Sequence, residues 1–148
     1  MAGDIYYKRS RFSTRLQTDR LYAASHFWLQ QQTPGRWRIG LTKFAARMLG
    51  DIVDIGFEIE PGGAVEVGDA IGWLEGFKAR TDLYAAARGR FAGGNPLFEQ
   101  SLDVLDSDRY GAGWIYEVDG EPDPGAMSAE GYAALLDGTI DRMKESGY

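Results

Sequence analysis

The chain has 148 residues, 44% hydrophobic and 26% charged, with a formal net charge of −6. That is enough for one domain with a real core, and the acidic balance argues against general nucleic-acid binding, which needs a basic face. Zero cysteines exclude disulfides, cysteine nucleophiles and thiolate metal sites, and a single histidine excludes a two-histidine metal centre.

No apolar run approaches the roughly 18 residues that a bilayer span requires, and the start lacks the apolar stretch of a secretory signal. A cytoplasmic protein without a membrane partner is expected. The charge is uneven along the chain. Residues 1–20 hold Lys8, Arg9, Arg11, Arg15 and Arg20 against Asp4 and Asp19, a net +3 that leaves −9 for the remainder. Such a stretch suits either a basic arm docking on an acidic surface or a solvated, partly mobile terminus. It is read as an extension, residues 1–20, ahead of a single domain, residues 21–148.

Leu21 to Gln32 reads as one strand, since Tyr22, Ala24, His26 and Trp28 alternate with their neighbours. Thr33-Pro34-Gly35 is a turn signal, because proline presets φ and glycine accepts positive φ. Arg36 to Leu41 returns as a second strand. Thr42 is placed to cap a short helix, Lys43 to Leu49, which Gly50 ends.

Two similar phrases follow, Gly50-Asp51-Ile52-Val53 and Gly68-Asp69-Ala70-Ile71, separated by the Pro61-Gly62-Gly63 turn. Their eighteen-residue offset suggests two related hairpin halves folded face to face. Lys78 lies near the tip of a hairpin, and Leu83 to Phe91 is expected to pair back after it. Trp114 to Val118 is a last strand. Ser128 is a plausible N-cap for a final helix with Tyr132, Leu135 and Leu136 on its packing face, divided in two if Gly138 breaks it. The pattern predicts a mainly β fold, a small antiparallel sandwich or flattened barrel with one short inserted helix and one C-terminal helix.

Few residues offer chemistry. His26 sits on an apolar strand face beside Trp28, where a satisfied core histidine is the plainer reading. Asp103, Asp106 and Asp108 share one loop and read as turn formers rather than metal ligands. No phosphate-binding glycine-rich loop appears. The chain looks like a non-catalytic protein. Lys78 taken alone is a solvated loop lysine, although a hairpin tip also suits covalent modification: the turn holds the amine away from the body and paired strands fix its direction.

The order of several short segments is similar to that of the H proteins of the glycine cleavage system. The segments are Tyr22, Ser25-His26 with Trp28, Ile39-Gly40-Leu41-Thr42 before Phe44-Ala45, and Leu49-Gly50-Asp51-Ile52-Val53. Glu75, Lys78, Ala79, Asp82, Gly89 and Asn95 continue the likeness, then Asp106 to Tyr110, Gly113-Trp114-Ile115 and Tyr132 to Leu136. The resemblance spans about Leu21 to Met143. It implies a lipoyl/biotinyl-type flattened barrel-sandwich hybrid and lipoic acid amide-linked to Lys78. It also implies a lipoate-attaching enzyme that reads Glu75 and the hairpin shape, and an arm cleft lined by Ser25, Phe27, Phe44 and Asp82.

The chain departs from that family at informative positions. Phe27 stands where the family's Ser-His-Glu-Trp has glutamate, and Phe44 where it has histidine. Glu75-Gly76-Phe77-Lys78 replaces Glu-Ser-Val-Lys, and Arg80, Arg88 and Arg90 add positive charge around the hairpin. A lost carboxylate–ammonium contact weakens hold on an amine by roughly 1.5–3 kcal/mol. These traits are similar to the divergent H-like lipoate-binding proteins of sulfur oxidation. The expected function is therefore a swinging-arm carrier of sulfur intermediates, working with a heterodisulfide-reductase-like complex and dihydrolipoamide dehydrogenase. The alternative is a conventional glycine-cleavage carrier of the aminomethyl group serving the P, T and L proteins. A third reading is an unmodified β-sandwich interaction module.

Overall fold

The computed structural model describes residues 3–146, so the outermost residues of the expected 1–20 extension and 21–148 domain lie outside the described part. Two sheets face each other. One has six strands: β3 (Leu21–Tyr22), β4 (Phe27–Thr33), β5 (Arg36–Leu41), β7 (Ala64–Val65), β10 (Ala87–Gly94) and β11 (Tyr116–Pro122), in the order β3-β4-β5-β11-β10-β7. The other has three, β6 (Ile52–Phe57), β8 (Ala70–Gly76) and β9 (Arg80–Tyr84), in the order β6-β8-β9. Leu29, Ile39 and Val118 from the first sheet and Ile52, Leu74 and Leu83 from the second meet in one buried cluster. The fold is mainly β, and its sheets are flattened rather than closed into a barrel.

Among the described residues three α-helices, α1 (Lys43–Leu49), α2 (Asp103–Ser107) and α3 (Ala129–Glu145), and one 3-10 turn, Pro96–Glu99, complete the domain. Thr42 caps α1 by accepting from the Ala45 amide, and Gly50 ends it at φ 77°. Ser128 caps α3 by accepting from the Gly131 amide. Gly138 does not divide α3, which runs unbroken for 17 residues. Tyr132, Leu136 and Ile140 bury one stripe of it against Tyr22, Trp28 and Phe44. Burial of that tertiary face outweighs the roughly 1 kcal/mol helix penalty of a single glycine. No helix among the described residues is long and apolar enough to cross a membrane.

Two expected strands divide. Leu21–Gln32 is interrupted by a turn in which the Ala23 amide donates to Phe27 O and His26 adopts φ 71°. β3 thus folds back on β4 and pairs Tyr22 with Trp28. The alternation does not hold through the turn: Ala24 is exposed, and Phe27, Trp28 and Leu29 are all buried. Leu83–Phe91 likewise splits. β9 pairs with β8, the buried Ala85 and Ala86 cross over, and β10 joins β11 and β7 in the other sheet. Side chains this small let the backbone pass between the sheets.

The basic N-terminal stretch is a folded hairpin, β1 (Asp4–Arg9) and β2 (Phe12–Gln17). Tyr7, Phe12 and Leu16 are buried in the same cluster as α3. Arg9 reaches Asp137 at 3.3 Å and Asp141 at 2.7 Å, while the Tyr7 hydroxyl donates to Asp137 at 2.8 Å. Arg15 pairs with Asp4 and Arg20 with Asp19. Arg9 is engaged by carboxylates far away in sequence, Arg15 by one opposite in the hairpin and Arg20 by its neighbour, so the stretch is a docked hairpin rather than a solvated arm.

Candidate functional site

β8 and β9 pair up to Glu75 and Arg80, leaving Gly76 to Ala79 as the tip. The Gly76 amide donates to Ala79 O at 2.9 Å and closes it. The tip does not hang free, because its amides point at the end of α1. Leu49 O accepts from Lys78 at 2.8 Å and Ala79 at 3.3 Å, and Asp51 O accepts from Phe77 at 3.1 Å. A Cβ at Gly76 would meet Leu49 O at 2.1 Å, so only glycine permits this approach. The backbone of Lys78 is therefore fixed while its side chain stays exposed, and Nζ reaches Arg47 O at 3.2 Å. Phe77 beside it is 79% exposed. Glu75 lies 3.9 Å from Arg80, whose guanidinium also stacks over Trp73.

Two recesses flank α1. The larger, about 560 Å³, is lined by Lys78, Lys43, Arg47 and Arg109 together with the carboxylates Asp51 and Asp106. Burial, and then the neighbouring Asp51, push the Asp106 carboxyl above its ordinary range. The smaller, about 170 Å³, is lined by Ser25, His26, Phe27, Leu41, Ala45, Met48, Leu49, Thr81, Asp82 and Tyr84. Ser25, Phe27 and Asp82 thus come together from the β3–β4 turn, β4 and β9. Phe44 does not join them. It turns to the opposite side of α1, edge-to-face with Phe12 at 5.4 Å and against His26 at 4.8 Å.

His26 links the groove to α3. Its Nδ1 lies 2.8 Å from the Tyr132 hydroxyl, which lies 2.9 Å from Thr42 Oγ1. Burial lowers the imidazole pKa to about 4, so it is neutral at pH 7. Burial also raises the Tyr132 phenol well above its ordinary value. Asp82 is then the one charged side chain lining the smaller groove.

The arginines expected to colour the site positive lie elsewhere. Arg80 is engaged by Glu75 and Trp73, Arg88 lies 3.7 Å from Glu66 and 3.9 Å from Glu121, and Arg90 donates to Gly62 O. None of the three lines either recess. Sequence reasoning missed Tyr84, whose hydroxyl lies 3.5 Å from Asp82 Oδ2. The strand period offered a signal for it, since residues 82 and 84 share a face with Leu83 buried opposite. The Leu49 carbonyl and Gly76 seat left no such trace.

The chain is similar to known proteins over most of its length. The family model described as glycine cleavage H-protein matches residues 20–137. The glycine cleavage system H protein of Shewanella sp. (strain ANA-3) is 34% identical over 127 residues, covering 84% of this chain and 98% of its own length. That of Shewanella loihica is 32% identical over the same extent. A crystal structure of a glycine cleavage system H protein from Mycobacterium marinum superposes with a TM-score of 0.73 at 31% identity. It covers 81% of this chain and 98% of its own.

Proposed function

Because the chain belongs to the glycine cleavage H-protein family, we propose that Lys78 is its lipoyl-bearing lysine and that the arm carries an aminomethyl group. The protein is a carrier subunit and not itself a catalyst. Lipoic acid, once amide-linked, supplies a dithiolane that opens to hold a group and recloses on oxidation. The chain's own contribution is placement. Leu49 O and Asp51 O pin the turn, so that a lipoate-attaching enzyme meets Lys78 in a fixed direction beside Glu75.

The observation that carries the aminomethyl reading is the charge of the smaller groove. Its lining includes one carboxylate, Asp82, and no cation. Ser25 and Tyr84 add hydroxyls, and Phe27 and Met48 add apolar walls. An apolar arm ending in an ammonium group suits this lining; an anionic sulfur species would face Asp82 without a counter-charge. The implied partners are the P, T and L proteins and a lipoate-attaching enzyme.

Phe27 is the one residue that favours a sulfur cargo handed to a heterodisulfide-reductase-like complex. It is buried where the resemblance places a glutamate. With Arg80, Arg88 and Arg90 turned away from the groove, that reading lacks the positive charge that first recommended it.

The test takes lipoylated protein, confirmed by peptide mass spectrometry to be modified on Lys78, and offers it to glycine decarboxylase with glycine. One carbon dioxide should leave for each disulfide opened, with the methylamine retained on one sulfur and a thiol on the other. A lipoylated protein that is not loaded would overturn the cargo assignment. An unmodified Lys78 in protein from its native host would overturn the attachment site.

A further inference from the structure

We propose that a cationic strip beginning beside Lys78, which is itself uncharged once lipoylated, and running across Arg47 to Arg11 and Lys144 docks the carboxylate-rich rim of a protein that acts on the arm. This rests on the carrier reading above.

The chain has sixteen lysines and arginines against twenty-two acidic residues. Eight of the cations, Arg109 among them, lie within 4.0 Å of a carboxylate. On an acidic chain the others would be expected to scatter. Instead, four of those other eight, Arg11, Lys43, Arg47 and Lys144, none of them with such a partner among the described residues, gather on one side of α1 beside Lys78. Arg47 lines the Lys78 recess and also the next one, about 460 Å³, which holds Arg11 and Lys144.

These cations are held in place without being neutralised. Arg47 Nη1 donates to Arg11 O at 3.1 Å, and Lys43 Nζ donates to Ser13 O at 2.7 Å. Both head groups lie over the Phe12 ring, at 5.9 Å and 6.0 Å. Carbonyl and aromatic partners fix position but bring no formal negative charge. Asp51 and Asp106 also line the Lys78 recess, where Asp106 is engaged by Arg109 at 3.7 Å, whereas among the described residues no carboxylate lines the recess of Arg11 and Lys144. The uncompensated side is thus the one that continues to Arg11 and Lys144.

Arg11 and Lys144 both fall outside residues 20–137, the part matched by the family model. These two cations lie on the N-terminal hairpin and in the last turn of α3. The strip's nearness to Lys78 fits the occupant. A protein receiving the arm must approach this side of the turn, and carboxylates around its entrance would meet the strip. Complementary charge mainly raises the encounter rate and is weakened by salt.

The test compares an Arg11→Glu/Lys144→Glu double variant with an Arg88→Glu/Arg90→Glu control of equal charge change on another face. Both are lipoylated, checked by mass spectrometry, and their reduced arms titrated with a small aromatic disulfide to show an intact, reactive dithiol. KM is then measured for glycine decarboxylase, the aminomethyltransferase and dihydrolipoyl dehydrogenase. For at least one enzyme the first variant should raise KM about tenfold at low ionic strength with kcat unchanged, and the gap should close in high salt. The control should move little. Equal KM values for both variants with all three enzymes would overturn the proposal. So would an unchanged KM accompanied by lost retention of single-stranded RNA, which would make the strip a nucleic-acid contact. Failure of lipoylation in both variants and in the parent would instead count against the carrier reading.

Discussion

The backbone carbonyl of Leu49 accepts the amide of Lys78 at 2.8 Å, tying the last residue of α1 to the tip of the β8–β9 hairpin. The contact joins segments nearly thirty residues apart in the chain. It makes the direction of Lys78 a property of the helix as much as of the hairpin.

A side chain at Gly76 should break that tie. A Gly76→Ala methyl would sit 2.1 Å from Leu49 O, which is backbone and cannot swing aside. The expected cost is about 2 kcal/mol, seen as a lower urea midpoint. The rate of lipoyl attachment, followed by intact mass, should fall with it. Unchanged attachment would show that the attaching enzyme ignores the seat.

Asp82 should matter to the cargo rather than to the fold. Asp82→Asn removes the groove's one charge while keeping its shape. Asp82 is exposed, so its hold on an ammonium is worth about 1 kcal/mol. The methylamine-loaded form should therefore lose its group about fivefold faster in buffer. Equal half-lives would remove Asp82 from the proposed role.

His26 should make stability depend on pH. Its folded pKa, about 4, lies below the ordinary imidazole value of 6.5, so the unfolded chain binds the extra proton between these values. Stability is then full above about pH 6.5 and declines as pH falls towards 4, by about 3 kcal/mol in all. Asp106, with its raised pKa, opposes this trend, whereas Asp141, lowered first by its bond to Arg9, adds to it. The informative quantity is thus the difference from His26→Asn, which tolerates positive φ but carries no titrating ring. That difference should shrink on acidification.

The N-terminal hairpin should behave as a docked unit. Tyr7→Phe deletes the bond to Asp137 and should cost about 1 kcal/mol. Asp141→Asn weakens the pair with Arg9, half exposed on both sides, and should cost less. Phe12→Ala empties a buried ring site against Phe44. Hydrogen exchange should then speed up in β1, β2 and α1, while β4 and β5 stay protected.

Sequence by itself determined what depends on neighbours within a few positions. The Pro34-Gly35 turn, the Thr42 and Ser128 caps, Gly50 ending α1 and the lysine near a hairpin tip follow from local geometry and hydrogen bonding. The family likeness rests on the same kind of ordered local signal. Tertiary structure alone decided where β3 folds back on β4, how Ala85 and Ala86 carry the chain between sheets, and why Phe44 leaves the groove while Tyr84 enters it. It also turned a basic terminus into a hairpin, because Arg9 finds Asp137 and Asp141 and Phe12 finds Phe44 only after α1 and α3 are packed. Such placements sum many weak contacts between distant segments, and no short window of residues encodes them.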